Sequence, residues 1–130
     1  MNDGMEIVSG SVSIRDGGIV SVGPETGAPH DVTIDAGGAF LLPGSVQTHI
    51  HLCQTLFRGY AYDLPLMQWL SARIWRMEAA HTPSSLRAAA RLACLELLGS
   101  GTTAILTMEA VHDTNAVIEA APETGIRATI

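Results

Sequence analysis

The sequence predicts an α/β protein in which a short β-rich segment precedes a parallel sheet covered by helices. Residues 1–43 contain short runs of apolar residues between turns rich in glycine and proline. From residue 44 onward, β-branched stretches typical of strands alternate with amphipathic stretches typical of helices. An alternation of strand and helix is characteristic of parallel α/β sheets. The chain is therefore expected to divide near Pro43.

Four strands are expected in the β-rich segment. The first two, at 11–14 and 19–22, flank Arg15-Asp16-Gly17-Gly18, which predicts a hairpin because glycine tolerates positive φ. Two more strands are expected at 31–35 and 39–42. Because four short strands bury little apolar surface, this segment is expected to pack against another part of the protein.

The second segment is expected to alternate strands with helices. The strands are expected at 45–51, 102–106 and 126–130, and a loop at 52–64 is followed by helices at about 65–77, 83–99 and 114–123. Asp63 and Thr82 are predicted to cap the two helices that begin with proline. The buried face of the middle helix is predicted to comprise Leu86, Ala90, Ala93 and Leu97.

The composition argues against several classes of function. The chain carries thirteen acidic residues against seven arginines and no lysine, so no surface is expected to bind nucleic acid or an anionic membrane. No apolar run approaches the ~20 residues of a membrane span, and the N-terminus lacks the features of a secretory signal. Cys53 and Cys94 lie in unrelated contexts and are expected to be reduced thiols. A cytoplasmic protein is expected.

Two histidines mark the candidate site. His49 and His51 lie one residue apart near the C-terminal end of a predicted strand. Because side chains alternate between the faces of a strand, both imidazoles point to the same side, about 7 Å apart along the chain. Two such rings can bind one Zn²⁺ or Fe²⁺ ion, and βα barrels carry their catalytic residues at this end of the strands. The alternative is a structural role in the core or at the surface.

The other three histidines are not expected to bind a metal. His81 precedes a helix cap, His112 lies in a loop after a strand, and His30 lies in a loop rich in glycine and proline. Each is therefore expected to face solvent.

The stretch DAGGAFLLPGSVQTHIHLCQTLFRGYAYDLPLMQWLSARIW, residues 35–75, resembles the amidohydrolase superfamily. In particular, it is similar to the branch of triazine hydrolases and adenosine-type deaminases, whose substrates include 5'-deoxyadenosine, methylthioadenosine and S-adenosylhomocysteine. The stretches RIWRME, LLGSGTTAIL and AAPETGIRAT extend the resemblance over essentially the whole chain. The stretch QTHIHLCQTLFRG favours a resemblance to the deaminases of 5'-deoxyadenosine within this branch. Tyr62 departs from the branch, which commonly has an acidic residue at this position.

The resemblance implies a metal-dependent (β/α)8 TIM barrel preceded by a small β-sandwich. Residues 1–43 would then be a partial β-sandwich, and residues 44–130 the first βα units of an incomplete barrel. His49 and His51 would be two ligands of one catalytic metal, zinc or alternatively iron(II). The family completes this site with two histidines and an aspartate from later strands. No catalytic residue is therefore assigned in this segment, which is expected to be the N-terminal portion of a longer protein.

The resemblance also implies where a substrate binds. Glu78 matches the glutamate that contacts the ribose hydroxyls in nucleoside deaminases of this branch; the alternative is an exposed glutamate at a helix end. Glu109, just after a predicted strand, is a weaker candidate for substrate binding, with a surface carboxylate as the alternative. Trp69 and Trp75 lie at helical positions, where core packing is favoured over stacking on a purine. Arg58 either fixes its loop or contacts a substrate.

The implied function is the hydrolytic deamination of adenosine-like nucleosides through a metal-activated hydroxide, by a homo-oligomer when the protein is complete. The isolated chain is expected to be inactive. One alternative is a hydrolase of the same superfamily with another substrate, such as a triazine, guanine or cytosine. The other is a truncated product that has no catalytic activity and acts only by association.

Overall fold

The computed structural model describes residues 4–25, 27, 29–60 and 63–130. Its contacts divide the chain into two compact units, residues 1–43 and 44–130, and each unit contains its own small sheet. The chain has a mixed α/β structure, which agrees with the predicted class. Tyr62, at which the sequence departs from the adenosine-type branch, lies outside the described residues.

The first unit contains an antiparallel hairpin, formed by β1 (Ser11–Arg15) and β2 (Gly18–Gly23). The two residues between the strands, Asp16 and Gly17, have φ values of 50° and 75°. Positive φ at both positions is the geometry favoured in two-residue hairpin turns, because it matches the twist of the paired strands. The predicted hairpin is confirmed, although its turn uses Asp16 in place of the second glycine.

The other two strands predicted for this unit are not formed. Residues 31–35 and 39–42 have no strand partner among the described residues, and Val32 is exposed. A turn does lie between them, where the Gly37 N–H donates to Oδ1 of Asp35 at 2.8 Å. The prediction of strands was wrong because alternating apolar residues need a neighbouring strand to satisfy their backbone groups.

The second unit is built on a parallel sheet with the strand order β3-β4-β5. In this sheet β3 spans Ser45–Ile50, β4 spans Thr102–Thr107 and β5 spans Arg127–Thr129. Directly before β3 lies Gly44, where a Cβ atom would be only 2.1 Å from Oγ1 of Thr103. The close approach of the Thr103 side chain to the backbone of residue 44 therefore requires glycine at this position.

Helices connect the strands of this sheet. Between β3 and β4 lie α1 (Leu66–Trp69), a π-helical segment (Leu70–Ile74), α2 (Trp75–Ala79) and α3 (Pro83–Gly99), and between β4 and β5 lies α4 (Asn115–Thr124). The predictions of α3 and α4 are confirmed. Gly125 ends α4 in a left-handed conformation with φ of 83°, which glycine adopts without steric cost.

The region between β3 and α3 differs from the prediction in two ways. Leu52–Phe57, expected in a loop, form a 3₁₀ helix. The helix expected at 65–77 is interrupted by the π-helical segment, and Asp63 does not cap it, because its first turn begins after Pro65. A capping side chain must stand immediately before the first turn, and Asp63 lies two residues too early.

The core of the second unit forms where α3 packs against α4, the 3₁₀ helix and β4. The four residues predicted for the buried face of α3 are all buried, as are alanines of α4 that let the two helices approach closely. The helix pair is also linked at its surface by an ion pair of 3.0 Å between Arg87 and Glu119. No helix in the described part of the chain is long and apolar enough to cross a membrane.

Both cysteines lie in this core and are free thiols, as expected. Burial raises the pKa of the Cys53 thiol, and the nearby carboxylates of Glu109 and Glu78 raise it further. Burial also raises the pKa of Cys94. Both groups therefore remain protonated at pH values at which an exposed cysteine begins to ionise.

The N-terminus of α3 provides a test of the fold. The Thr82 hydroxyl accepts a hydrogen bond from the Ser85 N–H, and the Ser85 hydroxyl accepts one from the Thr82 N–H. We expect Thr82→Ala to lower the free energy of unfolding by about 0.5–2 kcal/mol, because it leaves a helical N–H unsatisfied. Urea denaturation measures the change. Thr82→Ser, which keeps the hydroxyl, is the control and should remain close to the wild type.

The cysteines provide a second test. A thiolate-specific reagent at pH 8 should label both thiols far more slowly in the native protein than in urea, because burial keeps them protonated and inaccessible. The labelling rates of native and unfolded protein are compared by mass spectrometry. Labelling of Cys53 in the native protein at the rate of a free thiol would contradict the buried position.

Candidate metal centre

The candidate site lies at the C-terminal end of the parallel strands of the second unit. His49 lies in β3 and His51 directly follows that strand, while Glu109 lies just beyond the end of β4. In the parallel ladder Ile50 is paired with Thr107, so the residues that follow both strands meet at the same edge. In barrels of parallel strands this edge carries the chemistry.

The two imidazoles are close enough to bind one metal ion. Their ring centroids are 5.3 Å apart and their planes are inclined at 87°. The centroid of an imidazole lies roughly 3.2 Å from a metal bound through nitrogen at about 2.1 Å. Two rings that converge on one ion at a near-tetrahedral angle are therefore separated by about 5 Å. The separation of His49 and His51 fits this arrangement.

A backbone carbonyl selects the tautomer of the neutral His51 ring. Its Nδ1 lies 2.5 Å from the carbonyl oxygen of Met108. Because a carbonyl can only accept, Nδ1 must carry the hydrogen of this bond. In the neutral ring Nε2 then keeps its lone pair, which is the form that binds a metal, and a hydrogen bond of this kind also orients a ligating ring.

The carboxylate of Glu109 holds the backbone that follows His51. Its Oε1 accepts a hydrogen bond from the Leu52 N–H at 2.7 Å, and its Oε2 accepts one from the Cys53 N–H at 3.0 Å. The Thr107 hydroxyl also contacts Oε1. Glu109 thus satisfies two free N–H groups at the start of the 3₁₀ helix. A contact between Glu109 and a substrate stays a prediction.

Glu78 is buried, with 5% of its surface exposed. Its Oε1 accepts a hydrogen bond from Nε2 of Gln54 at 2.9 Å and a weak one from Sγ of Cys53 at 3.8 Å. The alternative of an exposed glutamate at a helix end is therefore wrong, because the side chain points into the protein from α2. Glu78 lines a cavity of about 290 Å³ together with Trp75 and His112. Its contact with ribose hydroxyls stays a prediction.

A larger cavity of about 600 Å³ lies beside His51. Its wall is mixed, with the apolar side chains of Phe57, Trp69 and Ile74 and the polar side chain of Gln54. A concave and mostly apolar space with a few polar groups is the usual form of a small-molecule site. A hydrogen bond links the two cavities, because the Gln54 side chain lines the larger cavity and donates to Glu78, which lines the smaller one.

His81 does not face solvent, so that prediction was wrong. Its Nε2 donates to the Cys53 carbonyl at 2.9 Å, its Nδ1 is bonded to the Ser85 hydroxyl at 2.9 Å, and its ring stacks on Phe57. Both ring nitrogens are therefore engaged, and His81 supports the 3₁₀ helix. His30 and His112 are exposed, as predicted.

Two other predictions can be compared with the structure. Trp75 is 49% exposed, so the prediction that it packs in the core was wrong, whereas Trp69 is half-buried. Arg58 forms an ion pair with Glu96 at 2.5 Å and donates to the Thr55 carbonyl at 3.2 Å. Of its two predicted roles, these contacts favour fixing of the loop.

The site contains groups that the sequence did not reveal. The Met108 carbonyl and the Gln54 amide both contact predicted site residues. Every residue type has a backbone carbonyl, so the identity of residue 108 gave no indication of this contact. The helical spacing of Gln54 after His51 was a possible signal, but this segment was predicted to be a loop. Among the described residues, no group of three or more His, Cys, Asp and Glu side chains is placed to hold a metal ion.

Comparisons with solved structures show similar proteins with related names. An adenosine deaminase from Xanthomonas campestris with bound zinc is 39% identical and superimposes with a TM-score of 0.59, covering 66% of this chain and 19% of that protein. The E. coli guanine deaminase is 32% identical with a TM-score of 0.59, covering 66% of this chain and 20% of that protein.

Curated relatives match nearly the whole chain. The 5'-deoxyadenosine deaminase of Methanococcoides burtonii is 46% identical over 96% of this chain and 28% of its own length. The 5-methylthioadenosine/S-adenosylhomocysteine deaminase of Desulforudis audaxviator is 41% identical over 94% of this chain and 29% of its own length. The chain thus spans less than a third of the length of these relatives. The profile of the amidohydrolase family matches residues 40–130, and the chain therefore belongs to that family.

Proposed function

We propose that the full-length protein that contains this chain is a metal-dependent aminohydrolase of adenosine-like nucleosides, such as 5'-deoxyadenosine, methylthioadenosine and S-adenosylhomocysteine. The observation that carries the proposal is the pair of neighbouring imidazoles at the end of β3, with the Nδ1 hydrogen of His51 held by the Met108 carbonyl. The names of the similar proteins support a nucleoside substrate. Cytoplasmic location and homo-oligomeric assembly stay predictions.

The proposal includes the architecture of the complete protein. The parallel sheet β3-β4-β5 would be the first part of a (β/α)8 barrel, and residues 1–43 would be part of a β-sandwich. Among the described residues, β3 and β5 each have one side without a neighbouring strand, and this, with the position of the histidines at the C-terminal end of the sheet, supports the barrel.

His49 and His51 would hold the metal, for which zinc is proposed and iron(II) is the alternative. Neutral imidazole suits both ions, and the similar adenosine deaminase was crystallised with zinc. When bound, such a metal supplies a Lewis acid that lowers the pKa of water towards neutrality. His51 presents Nε2 because Met108 holds its Nδ1 hydrogen. Glu78 would accept hydrogen bonds from the two ribose hydroxyls, which a carboxylate can do with both oxygens.

The isolated chain is proposed to be inactive. Two histidines leave at least half of a coordination shell to other donors, and the described residues supply no third ligand at this site. A catalytic site with three protein ligands or more needs further residues of the full-length protein. Assays of deamination should therefore use that protein.

A second candidate is a deaminase of the same family with another substrate, such as guanine. The equal TM-scores of the adenosine and guanine deaminases favour keeping this candidate. Product analysis with nucleosides and free bases would separate the two. With cytosine and a triazine added to the substrates, the same experiment tests cytosine deamination and triazine hydrolysis. A truncated protein that acts only by association would turn over none of the substrates.

The two histidines can be tested directly. In the full-length protein His49→Ala and His51→Ala should each lower both the zinc content and kcat/KM for 5'-deoxyadenosine. A loss above about 100-fold in kcat/KM is expected, because loss of an outer-shell partner alone costs about 10–100-fold. His30→Ala, which removes an exposed histidine of the first unit, is the control. Variants of both histidines that retain zinc and turnover would contradict the site.

Glu78 can be tested through the substrate. Glu78→Gln should lower kcat/KM for adenosine by about tenfold or more, since a hydrogen bond to a charged group contributes about 1.5–3 kcal/mol. Turnover of 2',3'-dideoxyadenosine, which lacks both hydroxyls, should change little. The ratio of the two kcat/KM values is the measurement, and it cancels general effects on stability. Glu119→Gln, which makes the same change at the surface, should leave this ratio unaltered.

A further inference from the structure

Glu109 occupies a special position beside the candidate metal centre. The carbonyl of the preceding residue, Met108, accepts a hydrogen bond from Nδ1–H of His51. The Glu109 carboxylate itself accepts hydrogen bonds from the first two backbone N–H groups after His51. Two adjacent residues at the end of β4 therefore hold both the ring of His51 and the chain that leaves it. We propose that Glu109 is a positioning residue, which fixes the direction of His51 towards the metal. This inference rests on the proposed function.

The carboxylate is well suited to this task. It binds Leu52 with one oxygen and Cys53 with the other, so the peptide plane after His51 has little freedom to rotate. Hydrogen bonds from N–H groups to an ionised carboxylate are shorter and stronger than those between neutral groups. The Thr107 hydroxyl contacts Oε1 of the same carboxylate and also lies 2.9 Å from the Ile50 carbonyl.

The backbone that Glu109 holds is also fixed from its other side. Leu52 and Cys53 are fully buried, and His81 donates to the Cys53 carbonyl at 2.9 Å. Cys53, at the start of the 3₁₀ helix, is thus bonded through both its N–H and its C=O group. His51 stands at the edge of this rigid segment, with its ring as the remaining degree of freedom, and Met108 restricts that ring.

A positioning role differs from a substrate role in what it changes. Both oxygens of Glu109 accept main-chain hydrogen bonds, so its replacement should alter metal affinity more than selectivity for the ribose hydroxyls. In Glu109→Gln the side-chain NH₂ would face one of the two backbone N–H groups. One hydrogen bond would be lost, and two donors would point at each other. Metal affinity is therefore the informative quantity.

The experiment measures zinc affinity of the full-length protein by competition with a chelator. Glu109→Gln should weaken zinc binding by about 10–100-fold, the range for outer-shell partners. Glu119→Gln, with the same loss of charge on the exposed face of α4, should bind zinc as the wild type does. Thermal unfolding of the zinc-free proteins is measured in parallel, and a change in affinity at an unaltered midpoint cannot come from loss of folded protein.

A double-mutant cycle tests whether Glu109 acts through His51. If it does, Glu109→Gln should weaken zinc binding in the wild type but have little further effect in His51→Ala, since the ligand it orients is absent. Equal losses in both backgrounds, or none in either, would overturn the inference. Should Glu109→Gln fail to fold, Glu109→Asp is used; if this variant also fails, the role is structural and the inference is overturned.

Failure of the positioning role of Glu109 can be distinguished from failure of the proposed deaminase activity. A wild type that binds zinc but deaminates no nucleoside would refute the proposed activity, while the cycle would still decide the role of Glu109. A wild type that deaminates nucleosides with a zinc affinity insensitive to Glu109→Gln would refute only the positioning role. A wild type that binds neither zinc nor iron(II) would overturn both.

Discussion

The parallel pairing of β3 with β4 is the constraint on which the candidate centre depends. It places Ile50 opposite Thr107, and the Met108 N–H continues the ladder by donating to the Ile50 carbonyl at 3.1 Å. His51 and Glu109 then lie beside each other although 58 positions separate them in the chain. A slip of this register would separate the His51 ring from the Met108 carbonyl, and at the same time the 3₁₀ helix from the Glu109 carboxylate.

The sequence predicted best the elements whose signals are local. Thr82 followed by Pro83 defines the start of α3, and Gly125 defines the end of α4, since capping depends on residues within one turn. The hairpin of the first unit is also local, because its turn needs only two residues with positive φ. For the same reason the spacing of His49 and His51 could be recognised as a candidate metal pair before the fold was known.

Features that depend on distant partners could not be predicted in this way. Residues 31–35 alternate as a strand does, but a strand forms only where another backbone satisfies it. His81 follows the end of a helix in sequence, yet the 3₁₀ helix supplies the Cys53 carbonyl and the Phe57 ring that bind it. The Met108 carbonyl is likewise set by register, which the sequence pattern does not specify.

The two carboxylates near Cys53 have different hydrogen-bonding states, and this difference favours different roles. Glu109 accepts from two N–H groups and contacts a hydroxyl, so its charge is well compensated by the protein. Glu78 is more deeply buried, yet among the described residues only its Oε1 accepts hydrogen bonds, from Gln54 and weakly from Cys53. No buried side-chain oxygen or nitrogen among the described residues lacks a partner, so the second oxygen of Glu78 keeps accessible surface beside the cavity that this residue lines. A ligand with two hydroxyl groups would find a free acceptor at Glu78, whereas both oxygens of Glu109 already accept main-chain hydrogen bonds. This difference supports a binding role for the first and a positioning role for the second.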